Sequence, residues 1–129
     1  RDVAPSRGLG DVYKRQTAGI NHGSDLAELI RQTSLIIWDE APMQHRHAFE
    51  CVDRSLCDIM SSFNSQRTRK PFGGITIVFG GDYRQILPVI RKATRAQVVG
   101  AAFNRSKLWY SCDVFSTLPK HAFARWQYC

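Results

Sequence analysis

The segment that most constrains this chain is Ser34 to Met43, SLIIWDEAPM, where an apolar run stops against two adjacent acids. Leu35, Ile36, Ile37 and Trp38 form a run too short for a helix and rich in large apolar residues. That pattern predicts a strand buried on both faces of a parallel sheet. Asp39 and Glu40 then fall at the strand's carboxyl end, and Pro42 closes it by withholding a ladder hydrogen bond. In open α/β sheets ligands bind along that edge, so two carboxylates there are placed for chemistry rather than for folding.

A second apolar run, Ile75 to Phe79, ends in Gly80, Gly81, Asp82, Tyr83, Arg84 and Gln85. Adjacent glycines permit positive φ and close backbone approach, so this turn suits contact with a phosphate or a neighbouring strand. Asp82 and Gln85 could then address a metal-bound water or a terminal phosphate. The expectation is that the two strands lie parallel, joined by a right-handed crossover, with Asp39, Glu40, Asp82 and Gln85 along one edge. An apolar strand ending in Asp-Glu is also the Walker B pattern of P-loop NTPases, in which the Asp holds Mg²⁺ and the Glu polarises the attacking water. Either strand alone equally suits an ordinary solvent-facing turn. Two of them in one domain favour convergence on a ligand.

The elements between follow from periodicity. Ser24 or Asp25 caps a short helix with Glu28 in its first turn and Leu26, Leu29 and Ile30 on one apolar face. Phe49, Val52, Leu56, Ile59 or Met60, and Phe63 recur at steps of three and four, which predicts an amphipathic helix on the sheet. His45, His47, Glu50, Asp53 and Arg54 fall largely elsewhere. The two histidines, two positions apart, share no helical face and are expected to face solvent rather than a metal. Ser61 to Lys70 is polar after Phe63 and reads as a surface loop, with Pro71, Gly73 and Gly74 marking the turn into the next strand.

At 129 residues and 43% hydrophobic, the chain has enough material for one globular domain with a core. No apolar run approaches membrane-spanning length, and RDVAPSRGLG contains no secretory h-region, so an intracellular setting without membrane partners is expected. Cys51, Cys57, Cys112 and Cys129 lack the spacing of a zinc site or a disulfide framework and read as reduced thiols. The net charge of +7 lies partly in the two ends. Inside the domain the basic clusters are Arg67, Arg69 and Lys70, then Arg91, Lys92 and Arg95. Each suits phosphate contact, although a solvated basic loop is the commoner origin of such runs.

SLIIWDEAPM, PFGGITIVFGGDYRQILPVI at 71–90 and NRSKLW at 104–109 together resemble the helicase core of the Pif family of DNA helicases, RecD-related motors of superfamily one. Some relatives are attached to rolling-circle transposons. The resemblance covers roughly Ile20 to Val114. It implies an α/β fold, part of a RecA-like P-loop NTPase with a parallel sheet flanked by helices. It also implies ATP-driven 5′ to 3′ translocation on single-stranded or forked DNA, in repair, recombination and telomere maintenance, with Mg²⁺ and ATP required. The nucleus is the expected compartment, with the mitochondrion the other candidate. By the same resemblance Asp39 is the Mg²⁺ ligand and Glu40 activates the attacking water. Gly81 and Asp82 form the turn that positions Gln85, which senses the γ-phosphate and couples it to DNA.

Departures from the family pattern set the domain organisation. No G-x-x-x-x-G-K-[ST] string occurs in these residues, and no second RecA-like domain is present, so a motor fragment inactive by itself is expected. Residues 1–16 are expected to be an unstructured leader, with a library or intron as one source, and 17–116 the partial motor domain. Residues 117–129 are expected to be irregular. Pro119 to Ala124 can be back-translated so that the neighbouring frame gives Gln-Asn-Met-Arg-Leu, close to what the family carries there, which points to a frameshift near Thr117. Two other readings stay open: a non-catalytic nucleic-acid-binding module using Arg67, Arg69, Lys70, Arg91 and Lys92, and a P-loop NTPase unrelated to DNA.

Overall fold

The structure, a computed structural model, describes residues 17–62, 65–81, 87–118 and 121–126, and from residue 116 onward only their backbone. The expected leader at 1–16, Phe63, Asp82 and Gln85 lie outside the described residues.

Helix α1, Asp25–Gln32, begins at Ser24, whose Oγ accepts the Ala27 N–H at 3.3 Å. Asp25 and Glu28 in its first turn and Arg31 in its last match the helix dipole. Its expected apolar face is only partly used. Ala27 is buried and Ile30 packs against the core, while Leu26 and Leu29 point to solvent.

Strands β1, Leu35–Trp38, and β2, Thr76–Phe79, pair in parallel with Leu35 opposite Thr76 and Trp38 opposite Phe79. This is the predicted arrangement, but burial of β1 on both faces is corrected. Ile36 and Trp38 turn to the core, whereas Leu35 is 52% and Ile37 72% exposed. The physical reason is position: β1 ends the sheet order β1-β2-β4-β3, and the core packs against one face of it. Helix α2, Arg46–Ser61, supplies Phe49, Leu56 and Met60 to that core. Aromatic rings dominate it, with Phe49 4.7 Å from Trp38 and 4.1 Å from Phe103 between ring centroids.

The polar segment read as a loop contains a 3₁₀ turn, Ser65–Arg69, followed by a second, Pro71–Gly74, in which Phe72 and Gly73 have left-handed backbone. Helix α3, Arg95–Ala101, lacks a strong apolar period and begins with a reciprocal capping box between Thr94 and Gln97.

Strands β3, Cys112–Leu118, and β4, His121–Trp126, form an antiparallel hairpin, and β4 also pairs antiparallel with β2. The sheet is therefore mixed, and the parallel expectation holds for the β1–β2 pair. The tail read as irregular from residue 117 has strand backbone at 121–126. Such pairing is satisfied by main-chain donors and acceptors, which a missing apolar period does not reveal. No helix among the described residues is long and apolar enough to cross a membrane.

Candidate functional site

The carboxyl ends of β1 and β2 are stapled by two backbone hydrogen bonds. The Gly80 N–H donates to the Trp38 carbonyl at 2.9 Å, and the Ala41 N–H donates to the Gly80 carbonyl at 3.0 Å. Between those bonds the segment leaving β1 turns through Asp39 and Glu40. Glu40 has φ +51°, a left-handed conformation that costs a non-glycine residue about 1–2 kcal/mol. Asp39 Oδ1 supports the turn by accepting the Glu40 N–H at 2.9 Å. Both acids are exposed.

The segment leaving β2 turns at Gly81, with φ +142°, and a Cβ added there would run into the ring of Pro42. The glycine is thus required by a neighbouring loop. Pro42 and Ala41 are buried beneath the acidic turn, so the two strand ends form one corner. The corner brings Asp39, Glu40 and Gly81 to the same edge of the parallel pair. It offers a magnesium ion hard oxygen donors, with water and substrate completing the shell as that ion prefers. Among the described residues no group of three or more His, Cys, Asp or Glu side chains forms a metal cluster.

The two basic clusters occupy different surroundings. The side chain of Arg67 lies over Gly74, its Cγ 3.7 Å from where a Cβ there would stand, and Cys57 contacts the Lys70 carbonyl. Arg69 and Lys70 are exposed. Arg91 and Lys92 are also exposed, and Lys92 has φ +56°. These last two line a cleft of about 640 Å³ together with His45, Arg46, His47 and Gln97.

The histidines correct the solvent-facing expectation. His45 precedes α2 as its N-cap, and its Nδ1 accepts the His47 N–H at 3.1 Å. The rings therefore meet at 4.4 Å although the residues share no helical face, and both are half-buried. Burial, then the nearby His47 and Arg46, lowers the His45 pKa, opposed by Glu50. Arg46 is fixed by donating from Nη1 to the Arg105 carbonyl at 3.1 Å. Arg46 and Gln97 escaped sequence reasoning because nothing local links them to residues 91–92.

Asp53 was also missed as a structural residue. Its Oδ1 accepts the Phe72 N–H at 2.6 Å, across 19 positions, and holds the left-handed turn before β2. Burial raises its carboxyl pKa, outweighing that hydrogen bond and the one from Cys57. Cys57, which accepts the Gly73 N–H at 3.3 Å, has its thiol pushed up to about 11, mainly by burial. The available signal was spacing: Asp53 stands four residues from both Phe49 and Cys57, at the border of the buried helix face. Ser106 of the NRSKLW segment is buried and donates from Oγ to Glu50 Oε1 at 2.9 Å, tying that segment to α2.

The chain matches the PIF1-like helicase family over residues 9–123. That span includes part of the expected leader and part of the tail. The chain is also similar to the ATP-dependent DNA helicase Pif1 of Psychrobacter sp. (strain PRwf-1), with 28% identity over 79 residues, 61% of this chain and 11% of that protein. No solved structure matches it.

Proposed function

The chain belongs to the PIF1-like helicase family, and from that premise we propose that it is part of the first RecA-like domain of an ATP-dependent DNA helicase. The observation that carries the reading is the stapled corner, which sets Asp39, Glu40 and Gly81 together at the carboxyl edge of a parallel strand pair. That edge is where α/β sheets bind ligands.

In this reading Asp39 holds Mg²⁺ through a carboxylate oxygen. The ion, when bound, neutralises charge on the transferring phosphoryl group. Glu40, displayed on its left-handed turn, orients the attacking water and accepts its proton at a carboxylate oxygen. Gly81 and Asp82 position Gln85 to sense the γ-phosphate and relay its loss to the DNA. The roles of Asp82 and Gln85 rest on their place in the sequence motif. Arg67, Arg69, Lys70, Arg91 and Lys92 are the candidate DNA contacts.

The finer proposals follow the family: 5′ to 3′ movement on single-stranded or forked DNA, in repair, recombination and telomere maintenance, in the nucleus or mitochondrion. With no phosphate-cradling lysine loop in these residues, the chain alone is proposed to be inactive. The test compares ATP hydrolysis, with and without single-stranded DNA, by this chain and by a protein extended to the length of its helicase relatives. DNA-stimulated turnover should appear only in the extended protein. Its absence from both would overturn the reading.

A further inference from the structure

We infer that Pro42 and Gly81 are a positioning pair for the acid turn. The Pro42 ring, seated where Gly81 carries no side chain, holds Glu40 in its left-handed backbone and so fixes where its carboxylate stands. The inference rests on the helicase reading above for its effect on turnover, and on the fold alone for its effect on the turn.

Asp39 and Glu40 are bracketed by one residue at the end of β2. Gly80 donates its N–H to the Trp38 carbonyl at 2.9 Å and accepts the Ala41 N–H at 3.0 Å. The two acids must span the gap between those fixed points, and Glu40 does so with φ +51° and ψ +33°. On its far side the Glu40 carbonyl accepts the Met43 N–H at 3.1 Å, and the Ala41 carbonyl accepts the Gln44 N–H at 3.1 Å. A shift of Ala41 therefore carries the Glu40 backbone with it.

Packing at Pro42 keeps Ala41 in place. Both residues are buried, and the proline ring fixes its own φ. A Cβ at position 81 would fall on Cδ of Pro42, 2.9 Å from its Cγ and 3.6 Å from the Ala41 nitrogen. With only hydrogen at that position, the ring closes on the strand end beside the hydrogen bond from Ala41 to Gly80. A close-packed interior transmits a displacement rather than absorbing it. A ring pushed off position 81 takes Ala41 away from Gly80 and releases Glu40 from its left-handed turn.

The group that this packing serves is exposed. The buried contact thus orients a carboxylate from which folding gains little, which is how strain is kept at a reacting site. A reacting group misplaced by about 1 Å can lose on the order of 10²-fold in rate.

The experiment places three variants in the helicase-length protein and in this chain. Gly81→Ala drives a methyl group into the ring, Pro42→Ala removes Cγ and Cδ, and the third variant combines them. Asp53→Ala strips the acceptor from the Phe72 N–H and serves as the control for lost stability alone. The longer forms are measured for kcat and KM in DNA-stimulated ATP hydrolysis. The shorter forms are measured for amide hydrogen exchange at Ala41 and Met43 against Leu56 in α2.

Gly81→Ala should lower kcat by about 10–10²-fold while KM for ATP moves less than about threefold. In the short chain it should speed exchange at Ala41 and Met43 by about tenfold relative to Leu56. Pro42→Ala leaves the backbone at position 81 alone and should cost about threefold in kcat, so it reports even where Gly81→Ala does not fold. The combined variant should recover about threefold over Gly81→Ala, with the strain of φ +142° on alanine accounting for the rest. Asp53→Ala should stay within about twofold of the parent in kcat.

A combined variant no better than Gly81→Ala would trace the loss to the backbone at 81 and overturn the pair. Losses of kcat that follow stability alike in all variants, Asp53→Ala included, would overturn it as well. A parent without DNA-stimulated hydrolysis would sink the helicase reading, and exchange at Ala41 and Met43 would still decide whether the ring holds the turn. Stimulated hydrolysis in the parent with kcat and exchange unchanged in Gly81→Ala would keep that reading and sink the pair.

Discussion

Glu40 and Phe72 both hold left-handed backbone, at φ +51° and +54°, and they are held there by different means. Phe72 is fully buried, has its ring centroid 5.9 Å from that of Phe79, and has its N–H anchored by the half-buried Asp53. Glu40 is exposed and its support is local, from Asp39 Oδ1 at its N–H and from the Met43 N–H at its carbonyl, while its neighbours Ala41 and Pro42 are buried beneath it. At Phe72 the strained backbone places a ring in the core, so the packing offsets the strain. At Glu40 the same strain places a carboxylate in solvent, where folding gains little from it. Strain that stability does not explain is where function is to be sought.

The comparison breaks most visibly at the buried turn. Phe72→Ala should destabilise the chain by about 3–5 kcal/mol, since alanine loses the ring and keeps the strained φ. Denaturant unfolding monitored by circular dichroism checks this. A shift below about 1 kcal/mol would show that the turn is not held by the core.

Asp53 comes next. Asp53→Ala removes the acceptor of a part-buried N–H and should cost about 1–3 kcal/mol, whereas Asp53→Asn keeps an oxygen there and should cost much less. The acid also has a pH signature. Burial raises its pKa above the ordinary 3.8, so the folded state keeps the proton where the unfolded chain has lost it. Its contribution to stability therefore grows as pH falls through the raised value and levels off below 3.8. This is the reverse of an ion-paired carboxylate. The difference in unfolding free energy between parent and Asp53→Asn, followed from neutral to acid pH, should move in the parent's favour as pH falls. Movement the other way would contradict the buried carboxyl.

The smallest stability effect sharpens the contrast. Glu40→Gly relieves about 1–2 kcal/mol of strain and gives back about half of it through a looser unfolded chain, for a net gain of roughly 0.5–1 kcal/mol. A melting temperature raised by this exposed substitution would show that Glu40 is retained against stability. A clear fall would mean that its side chain serves the fold.

The corner was legible in the sequence because its parts are local. Four apolar residues ending in two acids, and the five-residue run Ile75 to Phe79 ending in two glycines, define the strand ends whatever surrounds them. What could not be read was which face of β1 the core would cover. Leu35, Ile36, Ile37 and Trp38 show no alternation, so burial is decided by packing from α2 and by the place of β1 at the end of the sheet. The cleft lined by His45 and Arg91 was hidden for a related reason. His45 and Arg91 stand far apart in the chain, and only the fold joins them. The strand at 121–126 was missed because main-chain pairing with β2 can proceed without a side-chain period.

The most direct test of the account is Glu40→Gln in the helicase-length protein, measured for DNA-stimulated ATP hydrolysis, nucleotide binding and thermal stability together. The amide keeps the shape and removes the base, so turnover should fall by about 10²–10⁴-fold while nucleotide binding and melting temperature stay near those of the parent. Turnover unchanged in that variant would contradict the role of the acid pair.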